Sequence, residues 1–254
     1  MSADVSSGAE AVPTPETEAV VSDADKPAAE AEAEVARAEE IWPPVLEYPE
    51  RPTRAAYDRF RRMLDLVAVG LLAVPATVIV GLAAIALKVE SPRAPVFYRQ
   101  MRTGYRTERF EIIKLRTMVP NADALKASLA ADNMRSGPDF KVARDPRITR
   151  IGRVLRRTSI DELPQLANIL RGDMTLIGPR PTSLDVDAYE PWQLERFEVR
   201  PGVAGLWQAE ARDSESWDER IALDIAYARR RCFRLDVRIL FSTLRTVVRG
   251  VGST

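Results

Sequence analysis

The feature that most constrains the fold of this chain is a run of 22 residues, Leu66 to Leu87, that contains no charged side chain. A helix of this length is long enough to cross the hydrocarbon core of a bilayer. Three structures are compatible with the run: a membrane-spanning helix, a helix buried in a protein core, and a hairpin that enters and leaves through one membrane face. The run lacks a polar stripe, which makes the buried core helix the least favoured.

Basic side chains lie on both sides of this run. Five arginines occur between residues 51 and 62, and four basic residues occur between 88 and 102. Because cytoplasmic flanks of membrane segments collect Lys and Arg, both ends are expected on the cytoplasmic side. Pro75 lies near the middle, where a proline removes one backbone hydrogen bond and can bend a helix. We therefore predict a re-entrant helix hairpin within residues 53–90, which makes the protein monotopic.

Residues 1–52 form an acidic tail that is poor in large apolar side chains. The first 50 residues hold 13 acidic and 2 basic side chains, which leaves 24 acidic and 35 basic in the rest of a chain that is neutral overall. Such a tail cannot bury enough apolar surface to offset its ordering entropy, so we predict disorder. The basic remainder suits membrane lipids and diphosphates. Nucleic acid is not expected, because no recognition motif accompanies the charge.

The residues that are rare or missing exclude several kinds of catalytic site. The chain has no histidine and a single cysteine, Cys232. An intramolecular disulfide, a Ser-His-Asp triad and a histidine-ligated zinc site are therefore excluded. A nucleophile, base or metal ligand must come chiefly from Asp, Glu, Lys or Tyr.

After the apolar run, the pattern predicts an α+β domain that is mainly helical, over residues 91–254. Two short extended segments, 96–99 and 109–113, flank a turn at Thr103-Gly104 and predict a β-hairpin. Helical spacing recurs in four later segments: 122–133, 151–155, 161–171 and 235–249.

Two adjacent carboxylates, Asp161 and Glu162, follow Arg156 and Arg157 at the start of a predicted helix. Neighbouring helical side chains do not share a face, so the two acids can take different roles in one pocket. One can attack phosphorus while the other holds a divalent cation, and arginines bind phosphate with planar forks. The structural alternative is a capping box, because Ser159 and Glu162 have the spacing of one.

Several other residues carry charge that suits a phosphate. Two prolines restrict the backbone around Arg180 in Pro179-Arg180-Pro181, which can hold that guanidinium in place, although a rigid surface turn has the same pattern. Lys114 and Arg116 fall on one side of a strand by its period of two, a pattern that a solvated strand face shares.

Two acidic pairs allow further interpretations. Asp185 and Asp187 match the Asp-x-Asp pattern of many metal-dependent glycosyltransferases, a short match that often arises by chance. Asp224 and Tyr227 are three residues apart on a predicted helix. They are either a pocket acid with an orienting phenol or ordinary amphipathic surface.

Taken in order along residues 57–250, these motifs resemble one family. The motifs are Arg61-Arg62-Met63-Leu64-Asp65, Pro95-Val96-Phe97-Tyr98-Arg99-Gln100, Lys114-Leu115-Arg116-Thr117-Met118, Asp145-Pro146-Arg147-Ile148-Thr149, Ser159-Ile160-Asp161-Glu162-Leu163-Pro164-Gln165-Leu166, Gly178-Pro179-Arg180-Pro181 and Asp224-x-x-Tyr227. The chain is similar to the short form of the bacterial sugar transferases, the monotopic polyprenyl-phosphate phosphoglycosyl transferases.

The resemblance implies a two-step reaction at the cytoplasmic face of the bacterial inner membrane. Asp161 would attack the sugar-bearing phosphate of a UDP-sugar and release UMP, and a polyprenyl phosphate would then take the phospho-sugar from that covalent intermediate. Glu162 matches the residue that holds Mg²⁺. The reaction would start a surface polysaccharide or glycoconjugate. The resemblance also agrees with the re-entrant hairpin, although Val74 stands where the family usually has serine before Pro75.

The resemblance also assigns binding residues. Lys114, Arg156 and Arg212 match functional cations of the family, Asp224 matches a functional acid, and Pro179-Arg180-Pro181 matches the motif that lines the site. The sugar and the oligomeric state, including a homodimer, are left open. Two other functions compete: a glycosyltransferase that binds a metal through Asp185 and Asp187, and a membrane-anchored scaffold that binds assembly partners through the acidic tail.

Overall fold

The computed structural model describes residues 28–41, 54–134, 140, 142–210 and 216–249. Arg212, a predicted binding residue, lies outside these ranges. The α-helices are α1 (Ala28–Ile41), α2 (Arg54–Glu90), α3 (Arg150–Thr158), α4 (Leu166–Arg171), α5 (Leu206–Glu210), α6 (Trp217–Arg230) and α7 (Phe233–Arg249). The strands are β1 (Phe97–Thr103), β2 (Arg109–Leu115), β3 (Thr175–Ile177) and β4 (Gly202–Ala204). Short 3₁₀ segments occupy Tyr105–Thr107, Ala127–Asp132, Ile160–Gln165, Val186–Ala188 and Pro191–Glu198.

The prediction of a mainly helical chain with a small sheet is confirmed. β1 and β2 pair antiparallel, with Phe97 opposite Leu115 and Thr103 opposite Arg109. They form the predicted hairpin, which is longer than the sequence pattern indicated. β3 and β4 pair in parallel, with Thr175 opposite Gly202.

Helix α2 contains the apolar run. Its most apolar 18-residue window has a mean hydropathy of 2.5 and is only 17% buried, so by length and composition the helix can cross a membrane. Val69, Ala76 and Ala83, at seven-residue spacing, are buried against the rest of the domain. Most other apolar side chains of the run are exposed. The helix continues without interruption through Pro75, so the predicted hairpin is not shown by this structure.

The amino-terminal half of α2 is fixed to the domain by polar contacts. The buried Asp65 carboxylate accepts hydrogen bonds from the Thr175 hydroxyl at 2.7 Å and the Leu176 N–H at 3.1 Å. The Arg62 guanidinium donates to the Ile169 and Leu170 carbonyls. These carbonyls lie in the last turn of α4, where carbonyls need partners from outside the helix; the Ile169 carbonyl also accepts from the Gly172 N–H at 3.0 Å. The amino-terminal half of α2 and the domain therefore pack as one unit.

Helix α1 lies within the tail for which the sequence predicted disorder, so the structure differs from that prediction over residues 28–41. α1 packs on α6, and its Val35 is buried in the same apolar core as Ile221 and Ile225. Arg229 of α6 makes a strong ion pair with Glu195 and a longer one with Glu32 of α1. Among the described side chains of α1, Val35 makes this apolar contact, which the mean composition of the whole tail does not reveal.

A second difference concerns residues 122–133, for which helical spacing predicted an α-helix. The structure has turns followed by the 3₁₀ segment Ala127–Asp132. No residue of this segment is buried. Because most helical stability in proteins comes from packing of one face, an unpacked segment can keep the tighter turns. The helices predicted at 151–155 and 235–249 are confirmed as α3 and α7.

Gly152 in α3 provides a test of this packing. A Cβ atom at this position would lie 2.0 Å from the Thr117 carbonyl oxygen, whereas a Cβ at Gly70 would meet nothing within 4 Å. Gly152→Ala is expected to lower the free energy of unfolding by roughly 1–3 kcal/mol, since main chain must move. Gly70→Ala, the matched control, should be neutral or gain up to about 1 kcal/mol from helix propensity. Thermal unfolding in detergent, followed by circular dichroism, measures both. Equal melting of the two variants would contradict this packing.

Candidate active site

The two adjacent carboxylates lie on a sharp turn between α3 and α4. α3 ends at Thr158, and Ser159 takes the left-handed conformation at φ 57°. That conformation is unfavourable for a residue with a Cβ, by about 1 kcal/mol or more. The chain then enters the 3₁₀ segment Ile160–Gln165, which contains Asp161 and Glu162. The turn therefore presents both acids at a break between two helices.

The capping box that Ser159 and Glu162 were able to form is not present. The Ser159 side chain makes no capping hydrogen bond to this segment. Instead, the Glu162 N–H donates to the Ser159 carbonyl at 3.2 Å. The Glu162 side chain is consequently directed to partners elsewhere in the fold.

Those partners are two cations from distant parts of the chain. Lys114 Nζ, at the end of β2, lies 2.9 Å from Glu162 Oε1, and Arg180 Nη2 lies 2.6 Å from the same oxygen. The Glu162 and Lys114 side chains are only 17% and 16% exposed. The structure thus brings two predicted site residues, Lys114 and Arg180, onto the carboxylate of a third, Glu162.

Asp161, beside this cluster, is also buried, and its acidity is changed by its surroundings. Burial and the neighbouring charge of Glu162 raise the pKa of Asp161 to about 6, against the opposing effect of Lys114 and Arg156. For Glu162, burial alone would raise the pKa, but Arg180 and Lys114 outweigh it and hold the pKa below its usual range. For Asp161, burial is thus the largest effect on the pKa. At neutral pH both groups carry charge.

Arg156 of α3 is the next cation beside Asp161. Its Nε donates to the Thr117 hydroxyl at 2.9 Å, which orients the guanidinium. Burial lowers the pKa of Arg156, and the charge of Asp161 partly offsets this effect. The Thr117 main chain packs directly against Gly152 of α3. The absence of a side chain at Gly152 therefore allows Thr117 to approach α3 and contact Arg156.

Arg116 does not join the ion-pair cluster. Its Nε donates to the Pro95 carbonyl at 2.7 Å and its Nη1 donates to the Met118 carbonyl at 3.1 Å. The side chain is buried in these contacts. The period of two was expected to place Arg116 beside Lys114, but β2 ends at Leu115 and the period ends with it. The described contacts of Arg116 hold the chain on either side of the hairpin.

The Pro179-Arg180-Pro181 loop is held from behind by a buried ion pair. Arg196 Nη2 donates to the Arg180 carbonyl at 2.7 Å and to Asp224 Oδ2 at 2.6 Å. The Arg196 and Asp224 side chains are 2% and 1% exposed. Asp224 therefore supports the loop that carries Arg180, a position compatible with its predicted functional role. Sequence reasoning missed Arg196, because nothing in its neighbourhood distinguishes it from the other charged residues there.

Tyr227 does not orient Asp224. Its hydroxyl donates to Asp236 Oδ1 at 2.7 Å, in a buried network that also includes Tyr57 of α2. Asp224 and Tyr227 do lie three residues apart on α6. The Tyr227 hydroxyl, however, donates to Asp236 of α7 and not to Asp224.

The Asp185 and Asp187 pair lies at an exposed 3₁₀ turn. Asp185 pairs with Arg109 and its side chain is 80% exposed. Within the described residues, no group of three or more His, Cys, Asp or Glu side chains has the arrangement of a metal site. Because Asp185 is exposed and already paired with Arg109, this pair gives no support to a glycosyltransferase site.

The family resemblance implies magnesium, and the residues at this site offer donors for it. Mg²⁺ is usually bound through one or two carboxylates together with substrate phosphates. Asp161 and Glu162 supply hard oxygen donors of that number, and both ion pairs of Glu162 are to one oxygen, Oε1. This donor set fits a cation held jointly with a phosphate substrate.

Comparisons with known proteins identify the family of the chain. The family model described as bacterial sugar transferase matches residues 56–250, so the chain belongs to that family. The chain is 40% identical over 206 residues to the UDP-glucose:undecaprenyl-phosphate glucose-1-phosphate transferase of Caulobacter vibrioides, covering 77% of this chain and 72% of the relative. It is 37% identical over 195 residues to the sugar transferase EpsL of Bacillus subtilis, covering 76% of this chain and 89% of the relative.

A third relative is much longer than the matched region. The chain is 37% identical over 199 residues to the galactosyl transferase CpsE of Streptococcus agalactiae, covering 76% of this chain but only 43% of the relative. The chain thus spans less than half the length of that protein. The described active-site residues all lie within the region that the family model matches.

The support of the loop by Asp224 can be tested through stability. Asp224→Asn leaves the Arg196 charge buried without a counter-charge, which is expected to cost roughly 3–5 kcal/mol of unfolding free energy. Asp185→Asn breaks an exposed pair and should change it by less than about 1 kcal/mol. Both are measured by chemical denaturation in detergent. An Asp224→Asn variant as stable as Asp185→Asn would show that the ion pair does not hold the loop.

Proposed function

We propose that this protein transfers a sugar 1-phosphate from a UDP-sugar to a polyprenyl phosphate, with release of UMP, through a covalent intermediate on Asp161. The observation that carries this proposal is the buried cluster in which Lys114 and Arg180 share one Glu162 oxygen beside Asp161. With Asp161 and Glu162 both ionised, the three cations Lys114, Arg156 and Arg180 leave one net positive charge, which suits a diphosphate. The adjacent Asp161 is a nucleophile within the same pocket.

The first step forms and breaks one bond at the sugar-bearing phosphorus. An oxygen of ionised Asp161 bonds to that phosphorus, and the bond from phosphorus to the bridging oxygen of UMP breaks. UMP leaves with that oxygen and its electron pair. Arg156 and Arg180 lie where they can stabilise charge on the phosphate oxygens, because the transition state spreads charge over those atoms.

The second step returns the enzyme to its starting state. A phosphate oxygen of the polyprenyl phosphate bonds to the same phosphorus, and the bond between phosphorus and Asp161 breaks. The product is a polyprenyl diphosphate sugar, and Asp161 is again a free carboxylate. No external acid or oxidant is needed, which is consistent with a protein that contains no histidine.

Glu162 is assigned to hold Mg²⁺, which when bound supplies charge neutralisation of the diphosphate. Lys114 and Arg180 keep Glu162 ionised and fix its orientation, since they hold its pKa below the usual range.

The names of the relatives support the class of acceptor and leave the sugar open. The Caulobacter protein is named for undecaprenyl phosphate and glucose 1-phosphate, and the streptococcal protein for galactose. We infer a polyprenyl phosphate acceptor for this chain and a role in starting a polysaccharide, and we assign no sugar.

The membrane arrangement follows from the substrates and from α2. A soluble nucleotide and a lipid-linked phosphate must meet at a membrane surface, which we assign to the cytoplasmic face of the inner membrane. We infer that the apolar run forms a re-entrant hairpin there, because basic residues flank both of its ends. The Thr77 hydroxyl donates to the Ala73 carbonyl at 2.7 Å next to Pro75, a contact that favours bending of a helix.

The nucleophile is tested by Asp161→Asn. This variant is expected to release UMP from a UDP-sugar at least roughly 10³-fold more slowly than the wild type, because an amide oxygen is a poor nucleophile toward phosphorus. Asp185→Asn, with the same loss of one charge at the exposed pair, should retain activity. Release of UMP is measured in detergent with polyprenyl phosphate present. Activity in the first variant together with loss in the second would favour the glycosyltransferase alternative.

The role of Glu162 is tested by pH and by metal titration. Wild-type rates should fall as pH drops through about 6, because Asp161 becomes protonated. Glu162→Gln removes the like charge that raises the pKa of Asp161, so the acid limb of the profile should move to lower pH. The same variant should respond less steeply to Mg²⁺. If the acid limb of the pH profile and the Mg²⁺ response are both unchanged in Glu162→Gln, Glu162 neither raises the pKa of Asp161 nor holds the metal.

The hairpin is tested by labelling single cysteines in whole cells. Ala55→Cys and Arg93→Cys, each in a Cys232→Ser background, place exposed thiols on either side of the apolar run. Neither should react with an impermeant maleimide until the cells are permeabilised, since both flanks are expected on the cytoplasmic side. Labelling of one flank in intact cells would show that α2 spans the membrane.

A further inference from the structure

A cavity of about 530 Å³ lies away from the ion-pair cluster. Most of its wall comes from three places: the amino-terminal half of α2, the turn between β1 and β2, and the chain from 194 to 200. Met174, Thr175 and Arg231 complete it. This volume lies within the range of about 300–1,000 Å³ that is usual for small-molecule sites. Residues of α2 that line it directly precede the apolar run.

The cavity is cationic. Five arginines line it: Arg61, Arg62, Arg106, Arg200 and Arg231. It also has three carboxylates. Among these, Asp65 is buried in its contacts with Thr175 and Leu176, Asp58 lies 3.6 Å from Arg231, and Glu198 is exposed.

Three of the arginines have no carboxylate partner among the described residues. The hydrogen bonds of Arg62 and Arg200 go to main-chain carbonyls, the latter to Gly172 at 3.1 Å. The guanidinium groups of Arg106 and Arg200 lie 5.1 and 5.2 Å from the centre of the Tyr105 ring. Carbonyl and ring contacts orient a guanidinium without neutralising its charge. Oriented, uncompensated arginines are what recognition of a phosphate requires.

The cavity is separate from the reaction site. Tyr105–Thr107 lies at the opposite end of the β-hairpin from Lys114. From Arg109 to Lys114 the strand rises about 17 Å, at roughly 3.4 Å per residue. Phe197 and Val199 form its wall on the side of the Pro179-Arg180-Pro181 loop. A phosphate bound beside Tyr105 therefore lies far from Lys114 and the ion-pair cluster.

We propose that this cavity is a second anion site, which binds a phosphate-bearing ligand independently of the reaction at Asp161. The phosphate comes either from a soluble phosphate ester or from the headgroup of an anionic lipid, because the cavity adjoins the start of the membrane segment. The arginine chemistry is the same for both sources.

The test uses the full-length protein in detergent and inorganic pyrophosphate as the probe. Arg106→Gln with Arg200→Gln removes two exposed cavity arginines. Arg109→Gln is the matched control, since Arg109 is exposed at the same turn, pairs with Asp185 and does not line the cavity. Equilibrium dialysis counts the bound pyrophosphate. The double variant should bind one equivalent fewer than the wild type and the control, or bind it about tenfold more weakly.

This count is independent of the proposed reaction, because loss of the site at Asp161 would lower the totals of all three proteins equally. Arg106→Gln alone is a second variant, at an exposed residue whose guanidinium contacts the Tyr105 ring. It should fold like the wild type and bind the same equivalent of pyrophosphate more weakly. Thermal unfolding checks each protein.

The lipid source is tested by flotation with vesicles of phosphatidylglycerol or of phosphatidylcholine. If pyrophosphate binding is equal in all variants but the double variant binds phosphatidylglycerol vesicles about tenfold more weakly than Arg109→Gln, the site stands and its ligand is a lipid headgroup. If neither pyrophosphate nor vesicle binding distinguishes the double variant from the control, the proposal is wrong.

Discussion

The structure depends on one shared carboxylate. Glu162 Oε1 accepts hydrogen bonds from both Lys114 and Arg180. These two contacts join the end of β2, the turn after α3 and the Pro179-Arg180-Pro181 loop. Removing charged groups from water costs several kcal/mol for each ion, so this cluster does not arise from the attraction of its members alone. It is formed because the surrounding fold holds the three segments at the right distance. Together with Arg156, the cluster keeps one net positive charge beside ionised Asp161, and that charge is the basis of the proposed diphosphate site.

Buried polar residues around the cluster provide that support. The Asn168 side chain accepts from the Ile113 N–H at 3.2 Å and donates to the Glu111 carbonyl at 2.7 Å, which fixes α4 to β2 next to Lys114. Arg196 holds the Arg180 loop through its ion pair with Asp224. Both polar atoms of the buried Asn168 side chain have partners, a condition under which buried polar groups specify one arrangement. The same arrangement leaves Asp161 buried beside Glu162, with a pKa near 6 rather than near 4.

The sequence predicted the parts of this site that depend on local pattern. Alternation located the β-hairpin, and the adjacent acids after two arginines located Asp161 and Glu162. Contacts between residues far apart in the chain could not be predicted from local sequence pattern. The docking of α1 depends on Val35 meeting α6, the role of Arg116 depends on carbonyls at Pro95 and Met118, and the support by Arg196 depends on an acid 28 residues away. Resemblance to a family supplied the reaction, which no local pattern in this chain defines.

The central claim is that Asp161 becomes bonded to phosphorus before the lipid takes part. Intact-mass analysis of the purified protein, mixed with a UDP-sugar and Mg²⁺ but no polyprenyl phosphate, tests it directly. The account predicts a mass increase equal to one sugar phosphate, located on the peptide that contains Asp161 and removed when polyprenyl phosphate is added. Repeated failure to find this adduct in a preparation that forms the lipid product at a normal rate would show direct transfer between the substrates and contradict the account.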